Sequence, residues 1–225
     1  MSETRTTLPD RLADTIVKLH PDRRIRVAID GVDGAGKTVL ADALAPLVVA
    51  NGRPVIRASV DDFHQPRGVR YARGKYSPDG FFLDSYDYPA FRRLLLDPLG
   101  PDGSGNYIAK YFDHRTDRFV APQPQQAAPT AALIVDGIFL HRPELREYWD
   151  LSIFLHVDFA VSRARNAARD GAPEALDPDT PYSRRYNGGQ QRYIGECEPG
   201  QRADIVIDYN DLAAPKFLKW RGGGP

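Results

Sequence analysis

Gly31-Val32-Asp33-Gly34-Ala35-Gly36-Lys37-Thr38 reads GxxxxGKT, set between an apolar run at 25–30 and a helix-forming run at 39–50. In that setting the stretch is a phosphate-binding loop. Its glycines let backbone N–H groups curl inward onto a phosphate, Lys37 reaches the β and γ oxygens, and the Thr38 hydroxyl is placed to ligate Mg²⁺. The residues expected to hold ATP are therefore Gly31, Asp33, Gly34, Ala35, Gly36, Lys37, Thr38 and Val39.

Working outward, Arg26-Val27-Ala28-Ile29 reads as a strand covered on both faces, with the loop at its C-terminal end. Before it, Leu8, Leu12, Ile16 and Leu19 recur at helical spacing behind Pro9. After the loop, Val39, Leu40, Ala43, Leu44 and Leu47 form an expected buried stripe, and Pro46 predicts a kink. A second strand at 54–60 ends in Asp61-Asp62-Phe63-His64, two carboxylates where open α/β sheets bind ligands. The polar stretch 65–85 is long enough to be functional, and Tyr71, Tyr76, Phe81, Phe82 and Tyr86 either wall an acceptor site or form a small core of their own.

Residues 87–96 resume a helical pattern, 107–112 read as a strand with a hairpin partner at 119–120, and 121–129 as a surface linker. Leu133-Ile134-Val135-Asp136-Gly137 is a buried strand closing on a carboxylate, the pattern of a second element that holds Mg²⁺. A short helix at 144–149, a strand at 151–157 and a helix at 160–169 follow, and Arg165 and Arg169 share a face of that last helix. Residues 170–184 are punctuated like a lid, a helix is expected from 184 to 196, a final strand at 205–207, and a frayed basic tail from 216 to 225. The expected fold is α/β: a P-loop NTPase, a three-layer sandwich whose mainly parallel sheet of about five strands carries helices on both faces and a small lid. One domain spans 1–225, with the lid at about 170–185 and an acceptor-binding insertion at about 62–120.

The 30 basic and 30 acidic side chains cancel, which argues against a protein dedicated to nucleic acid. The single cysteine, Cys197, excludes an intrachain disulfide and a cysteine-rich zinc site, and fits the reducing cytoplasm. No apolar run is long enough for a membrane span, so no membrane partner is expected. His64, His114 and His141, taken singly, read as surface or packing histidines, with pocket status only for the first two. Sequence leaves oligomeric state open; a homo-oligomer is compatible with it.

Asp136 is followed by Gly137 rather than by the acid of motor and transporter ATPases, no LSGGQ-like signature occurs, and Asp208-Tyr209-Asn210-Asp211 does not match the guanine reader of switch GTPases. A small-molecule kinase remains, needing positioning, neutralisation of the γ-phosphate and a carboxylate for the acceptor proton. GVDGAGKT, DDFH, YDYPAF, IVDGIFL and RARNAARD occur in the order seen in uridine kinases. Over about 25–208 the chain resembles the uridine kinase family, within the wider group that includes phosphoribulokinase and bacterial pantothenate kinase.

The resemblance implies an ATP- and Mg²⁺-dependent transfer of the γ-phosphate to a hydroxyl of a uridine- or cytidine-like nucleoside. It implies Asp61 as general base, with Asp62 the alternative, and Lys37, Arg165 and Arg169 as the other catalytic groups. It implies Thr38 and Asp136 at the metal, His64 where the family places a pocket tyrosine, and Asp87 against the sugar hydroxyls. The family's YDFxTHxR-like segment corresponds to Tyr111-Phe112-Asp113-His114-Arg115-Thr116-Asp117-Arg118, with Thr116 where the base-reading histidine would fall. Tyr111, His114 and Arg118 are its acceptor-binding candidates, in a pocket retuned away from the family pattern. A non-nucleoside alcohol such as a sugar or a pantothenate-like acceptor is the alternative within the enzyme class, and a non-catalytic nucleotide-binding regulator the alternative outside it.

Overall fold

The computed structural model describes residues 7–171 and 173–221. The chain opens with α1 (Leu8–Lys18), started by a capping box in which Thr7 and Asp10 satisfy each other's backbone N–H groups. Then come β1 (Ile25–Gly31), the phosphate loop and α2 (Lys37–Ala50), followed by β2 (Val55–Ser59). The next stretch carries three short helices, α3 (Arg67–Arg70), α4 (Pro78–Asp84) and α5 (Tyr88–Phe91). Four two-residue strands follow: β3 (Asn106–Tyr107), β4 (Phe112–Asp113), β5 (Arg118–Phe119) and β6 (Gln125–Gln126), of which β3 pairs with β6 and β4 with β5. The second half runs β7 (Ala132–Gly137), β8 (Leu151–His156), α6 (Phe159–Asp170), α7 (Pro181–Cys197), α8 (Pro199–Arg202), β9 (Ile205–Asp208) and β10 (Lys216–Trp220).

The main sheet has the order β10-β9-β8-β1-β7-β2, with five parallel strands and one antiparallel edge, β10. Strands buried on both faces explain its apolar runs. Val27, Ile29 and Ile134 pack with Leu12, Ile16, Leu40 and Leu44 of α1 and α2, while Ala28, Leu133 and Val135 pack with Phe63, Phe81, Phe91 and Tyr193 on the opposite face. Two helix layers around a mostly parallel sheet make the α/β sandwich, and the carboxyl ends of β1, β7 and β2 meet along one rim.

Several elements depart from their expected form. The tail was expected to fray from 216, yet 216–220 form an edge strand; residues 222–225 lie outside the described residues. A register shift between Phe217 and Lys219 puts Phe217 and Trp220 side by side under the Arg11 guanidinium, so the strand lacks the period-two alternation that would announce it. In α2 the buried stripe is Leu40, Ala41, Leu44 and Val48, whereas Val39 is 69% exposed and Ala43 is also on the solvent side; the helix starts at Lys37 and its phase follows from that start. α2 also continues through Pro46 to Ala50. The helix expected at 144–149 is a 3₁₀ turn at Arg146–Tyr148, and that expected at 87–96 is α5 widening into a π-helical segment at Arg92–Leu96. α7 begins at Pro181, three residues before the expected start, because Thr180 caps it by accepting from the Ser183 N–H at 3.1 Å.

Arg53 is buried without a carboxylate and donates instead to the carbonyls of Ile16, Arg23 and Thr130 at 2.9, 2.7 and 3.0 Å. It thereby satisfies acceptors at and beyond the C-terminal end of α1, where the helix dipole favours a cation. Among the described residues no helix is long and apolar enough to cross a membrane.

α7 lies against α4 at close range. A Cβ added at Gly189 would sit 2.8 Å from Phe81 Cδ1 and 2.9 Å from the Pro78 carbonyl oxygen. Gly189→Ala is therefore expected to destabilise the protein by about 1–3 kcal/mol, read as a lowered melting temperature. The Cys197 thiol is buried and pushed up to about 11 by that burial. Native protein at pH 8 should resist iodoacetamide at this residue, and denatured protein should alkylate fully, as followed by intact mass.

Candidate active site

The phosphate loop takes the shape its glycines permit. Gly34 and Gly36 have φ of +70° and +92°, a region that side chains with a Cβ rarely enter. A Cβ at Gly34 would also meet Asn166 Oδ1 at 2.7 Å and the Ser162 carbonyl oxygen at 2.9 Å, because α6 lies directly over the loop. Gly36 precedes α2 without a side-chain cap, leaving the first-turn N–H groups free to bind an anion. Lys37 folds across the loop with Nζ 2.8 Å from the Val32 carbonyl oxygen, a weak partner for an ammonium that a phosphate would displace.

Beside the loop, Thr38 donates to Asp136 Oδ2 at 2.6 Å, and Asp136 Oδ1 pairs with Arg57 Nη2 at 2.9 Å. Arg57 also pairs with Asp42 at 3.0 Å and donates to the Ile134 carbonyl at 2.7 Å. Pairing in the sheet sets this geometry, since Asp136 is in register with Ile29 on one side and Ser59 on the other. A hydroxyl and a single carboxylate are hard oxygen donors that suit Mg²⁺, which keeps waters and takes phosphate oxygens rather than demanding a protein cage. Among the described residues there is no group of three or more His, Cys, Asp or Glu able to hold an ion, so an ion here draws its remaining ligands from nucleotide and water.

Asp61 stands at the end of β2 in a 3₁₀ turn whose start is capped by Ser59. Its Oδ1 accepts from the Tyr86 hydroxyl at 2.9 Å. Burial, and then the charge of Asp61, raise Tyr86 well above the ordinary phenol range, so it remains a donor. The other carboxylate of the pair turns away: Asp62 pairs with Lys110 at 3.1 Å, and burial raises it above the usual carboxylate range.

A cavity of about 250 Å³ is bordered by Asp33 of the loop, Asp61, His64, His114 and Arg169 among the expected residues, whereas Lys37, Thr38 and Asp136 do not line it. His64 packs at a tilt against Tyr86 and His114 at centroid distances of 4.5 and 4.8 Å, and its Nδ1 lies 2.8 Å from the Asp61 carbonyl oxygen, which makes Nδ1 the protonated nitrogen. Asp33 is raised by burial.

Other expected residues lie outside the cavity. Asp87 caps α5 by accepting from the Ala90 N–H at 2.9 Å. Tyr111 stacks on Phe63 and meets Phe119 edge to face, and Arg118 is exposed in β5. Arg165 donates to the Tyr209 and Asn210 carbonyls at 2.9 and 2.8 Å, bracing the loop after β9. The arginine that joins Arg169 at the cavity is Arg163, whose Nε is buried without a partner among the described residues. Arg163, Asn166 and Arg169 recur every three residues, and that spacing was the available signal; four-residue spacing drew attention to Arg165 instead. Of the aromatic residues expected in 65–86, Phe81 and Tyr86 border the cavity; Arg70, Tyr182 and Gln190 also border it and carried no local signal.

Burial lowers His64 below its ordinary value of about 6.5. On acidification the unfolded chain takes up this proton before the folded one does, so His64 subtracts stability as pH falls through that range. His64→Gln should flatten this part of the stability profile, measured by chemical denaturation between pH 7.5 and pH 5.

No family model matches the chain. A thymidylate kinase of Xanthomonas campestris pv. campestris (strain B100) is 31% identical over 156 residues, covering 67% of this chain and 64% of that protein. The chain thus matches less than two thirds of the length of its curated relatives. Among solved structures, a possible uridine kinase from Bacillus stearothermophilus superposes with a TM-score of 0.70 at 23% identity, covering 89% of this chain and 97% of that one. A candidate fructose transport system kinase from Silicibacter sp. TM1040 gives 0.66 at 25% identity, covering 85% and 95%. A phosphoribulokinase from Rhodobacter spheroides gives 0.57 at 16%, covering 83% and 70%. The fold is that of the uridine kinase-like P-loop kinases.

Proposed function

We propose that the protein is an ATP-dependent kinase that transfers the γ-phosphate to a hydroxyl of a nucleoside-like or sugar-like small acceptor. The observation that carries this reading is the placement of the Asp61 carboxylate, fixed by Tyr86, on the same cavity as the phosphate loop's Asp33 and the arginines of α6. A mere nucleotide binder has no use for a carboxylate so placed.

In this reading the nucleotide phosphates lie on the N–H groups of 34–39, with Lys37 released from Val32 onto the β and γ oxygens. Thr38 and Asp136 would hold Mg²⁺, which would offset the charge that develops on the phosphates. Asp61 orients the acceptor hydroxyl in line with the γ-phosphorus and takes its proton as the new O–P bond forms and the bond from the γ-phosphorus to the β,γ-bridging oxygen breaks, with ADP as the leaving group. Arg163 and Arg169 face the charge on the transferred group, and closure of the expected lid, about 170–185, over the cavity would exclude water.

The thymidylate kinase relative raises a second reading, in which a phosphate is the acceptor. Asp61 disfavours it, because a carboxylate at the point of attack repels an incoming phosphate whereas it accepts from a hydroxyl. We read the protein as cytoplasmic, with a small molecule rather than a nucleic acid as its partner.

Asp61→Asn should lower acceptor-stimulated ATP turnover by about 10²–10⁴-fold while leaving ATP affinity in place. Near-normal turnover in that variant would remove the base assignment. Lack of stimulation of the unaltered protein by any nucleoside, sugar or related alcohol would favour a nucleotide-binding regulator.

A further inference from the structure

The cavity has a second cationic region that phosphoryl transfer does not use. Arg70, the last residue of α3, is 9% exposed and borders the cavity together with Asp61. Its Nε donates to the Gln65 carbonyl at 2.6 Å and its Nη2 pairs with Asp117 at 3.2 Å, while Nη1 makes no hydrogen bond among the described residues. Behind it Arg185, 4% exposed, donates to the Ser77 and Arg70 carbonyls at 3.1 and 3.3 Å. Arg185 Nε is buried and unpartnered among the described residues. Both guanidiniums lie against the Tyr71 ring, at 5.5 Å for Arg70 and 4.9 Å for Arg185.

Arg73 pairs with Asp84, and Arg192 with both Asp79 and Glu196, so neither is free for a ligand. Of the two buried guanidiniums, Arg70 pairs with one carboxylate, Asp117, which is itself partly exposed, and Arg185 pairs with none among the described residues. Burying an uncompensated cation is costly unless a counter-charge arrives, and a guanidinium gains most from a planar or tetrahedral oxyanion. A neutral nucleoside or sugar offers it oxygen acceptors but no counter-charge.

We propose that the acceptor carries an anionic group, a phosphate monoester or a carboxylate, which Arg70 binds in the cavity wall while the acceptor hydroxyl meets Asp61. This rests on the kinase reading and narrows it. Asp61 and Arg70 then sort the two ends of one molecule, the carboxylate rejecting the anionic end and the guanidinium drawing it. Arg185 supports Arg70 from behind, and Arg163 and Arg169, over the phosphate loop, stay with the transferred phosphate.

The test uses matched pairs: ribose with ribose 5-phosphate, glycerol with glycerate, and uridine with uridine 5′-monophosphate. Acceptor-stimulated ATP turnover and calorimetric binding are measured for each. The anionic member of at least one pair should exceed its neutral partner by at least about tenfold in kcat/KM and in affinity, as a charge-assisted guanidinium contact requires. Arg70→Gln should remove that preference, with ATP affinity retained, and Arg70→Lys should keep part of it. Arg70→Gln combined with Asp117→Asn leaves no carboxylate unpaired and serves if the single variant does not fold. Turnover of neutral members equal to or better than their anionic partners overturns the proposal and leaves the kinase reading standing. Absence of turnover for every compound overturns the kinase reading instead. In that case selective binding of the anionic members, abolished in Arg70→Gln, still supports the anion site, and lack of such selectivity overturns it.

Discussion

Beneath the phosphate loop one buried carboxylate holds three parts of the chain together. Asp30 is fully buried; its Oδ1 accepts from the Gly31 N–H at 2.7 Å, and its Oδ2 accepts from His141 Nδ1 at 2.6 Å and from the Tyr193 hydroxyl. Tyr193 in turn accepts from the His141 N–H at 2.9 Å. The start of the loop, the segment after β7 and the helix α7 are therefore fixed to a single group. A carboxylate buried so deeply is tolerable only because each oxygen has donors, and losing any one leaves an expensive orphan. The loop's curvature depends on this anchor, since its first N–H is drawn down into the core and away from the ligand side.

Above that anchor the charges are laid out by the sheet. β1 leads into the phosphate loop, its neighbour β7 ends at Asp136–Gly137, and β2 at the edge leads into Asp61, so three parallel strands set the loop and the two carboxylates along one rim. Arg57 pairs with Asp136 and Asp42, which compensates the buried carboxylate until a cation is at hand. Tyr86 reaches Asp61 from a separate segment and orients it without adding charge. The result is a cavity whose walls differ in charge from one end to the other.

What could be read from the sequence follows from how local each signal is. The phosphate loop, the doubly buried strands β1, β7 and β8, and the carboxylates closing β2 and β7 are patterns within a few residues, and all were legible. The Asp30 hub joins residues 111 and 163 positions apart, so His141 looked like an ordinary histidine and Asp30 like the end of an apolar strand. β10 escaped notice because its register shift erases alternation. Arg165 and Arg163 sit two positions apart on one helix, and only packing of α6 over Gly34 separates the one bracing the β9 loop from the one at the cavity. Asp87 illustrates the converse: one residue type suits a helix start and a sugar contact alike, and here its Oδ1 accepts from the Ala90 N–H at the start of α5.

α7 is held at several points along its C-terminal half. Gly189 rests on α4, Gln190 accepts from the Asp33 N–H at 2.6 Å, and Tyr193 reaches Asp30. From Pro181 to Gly189, about 12 Å, the helix is held instead from the α3–α4 side, where Arg185 donates to the Ser77 and Arg70 carbonyls. Tyr182, near its start, borders the cavity. One rod is thus tied to the phosphate loop along one half and to the segment that carries Arg70 along the other, so two sides of the cavity share a single rigid support.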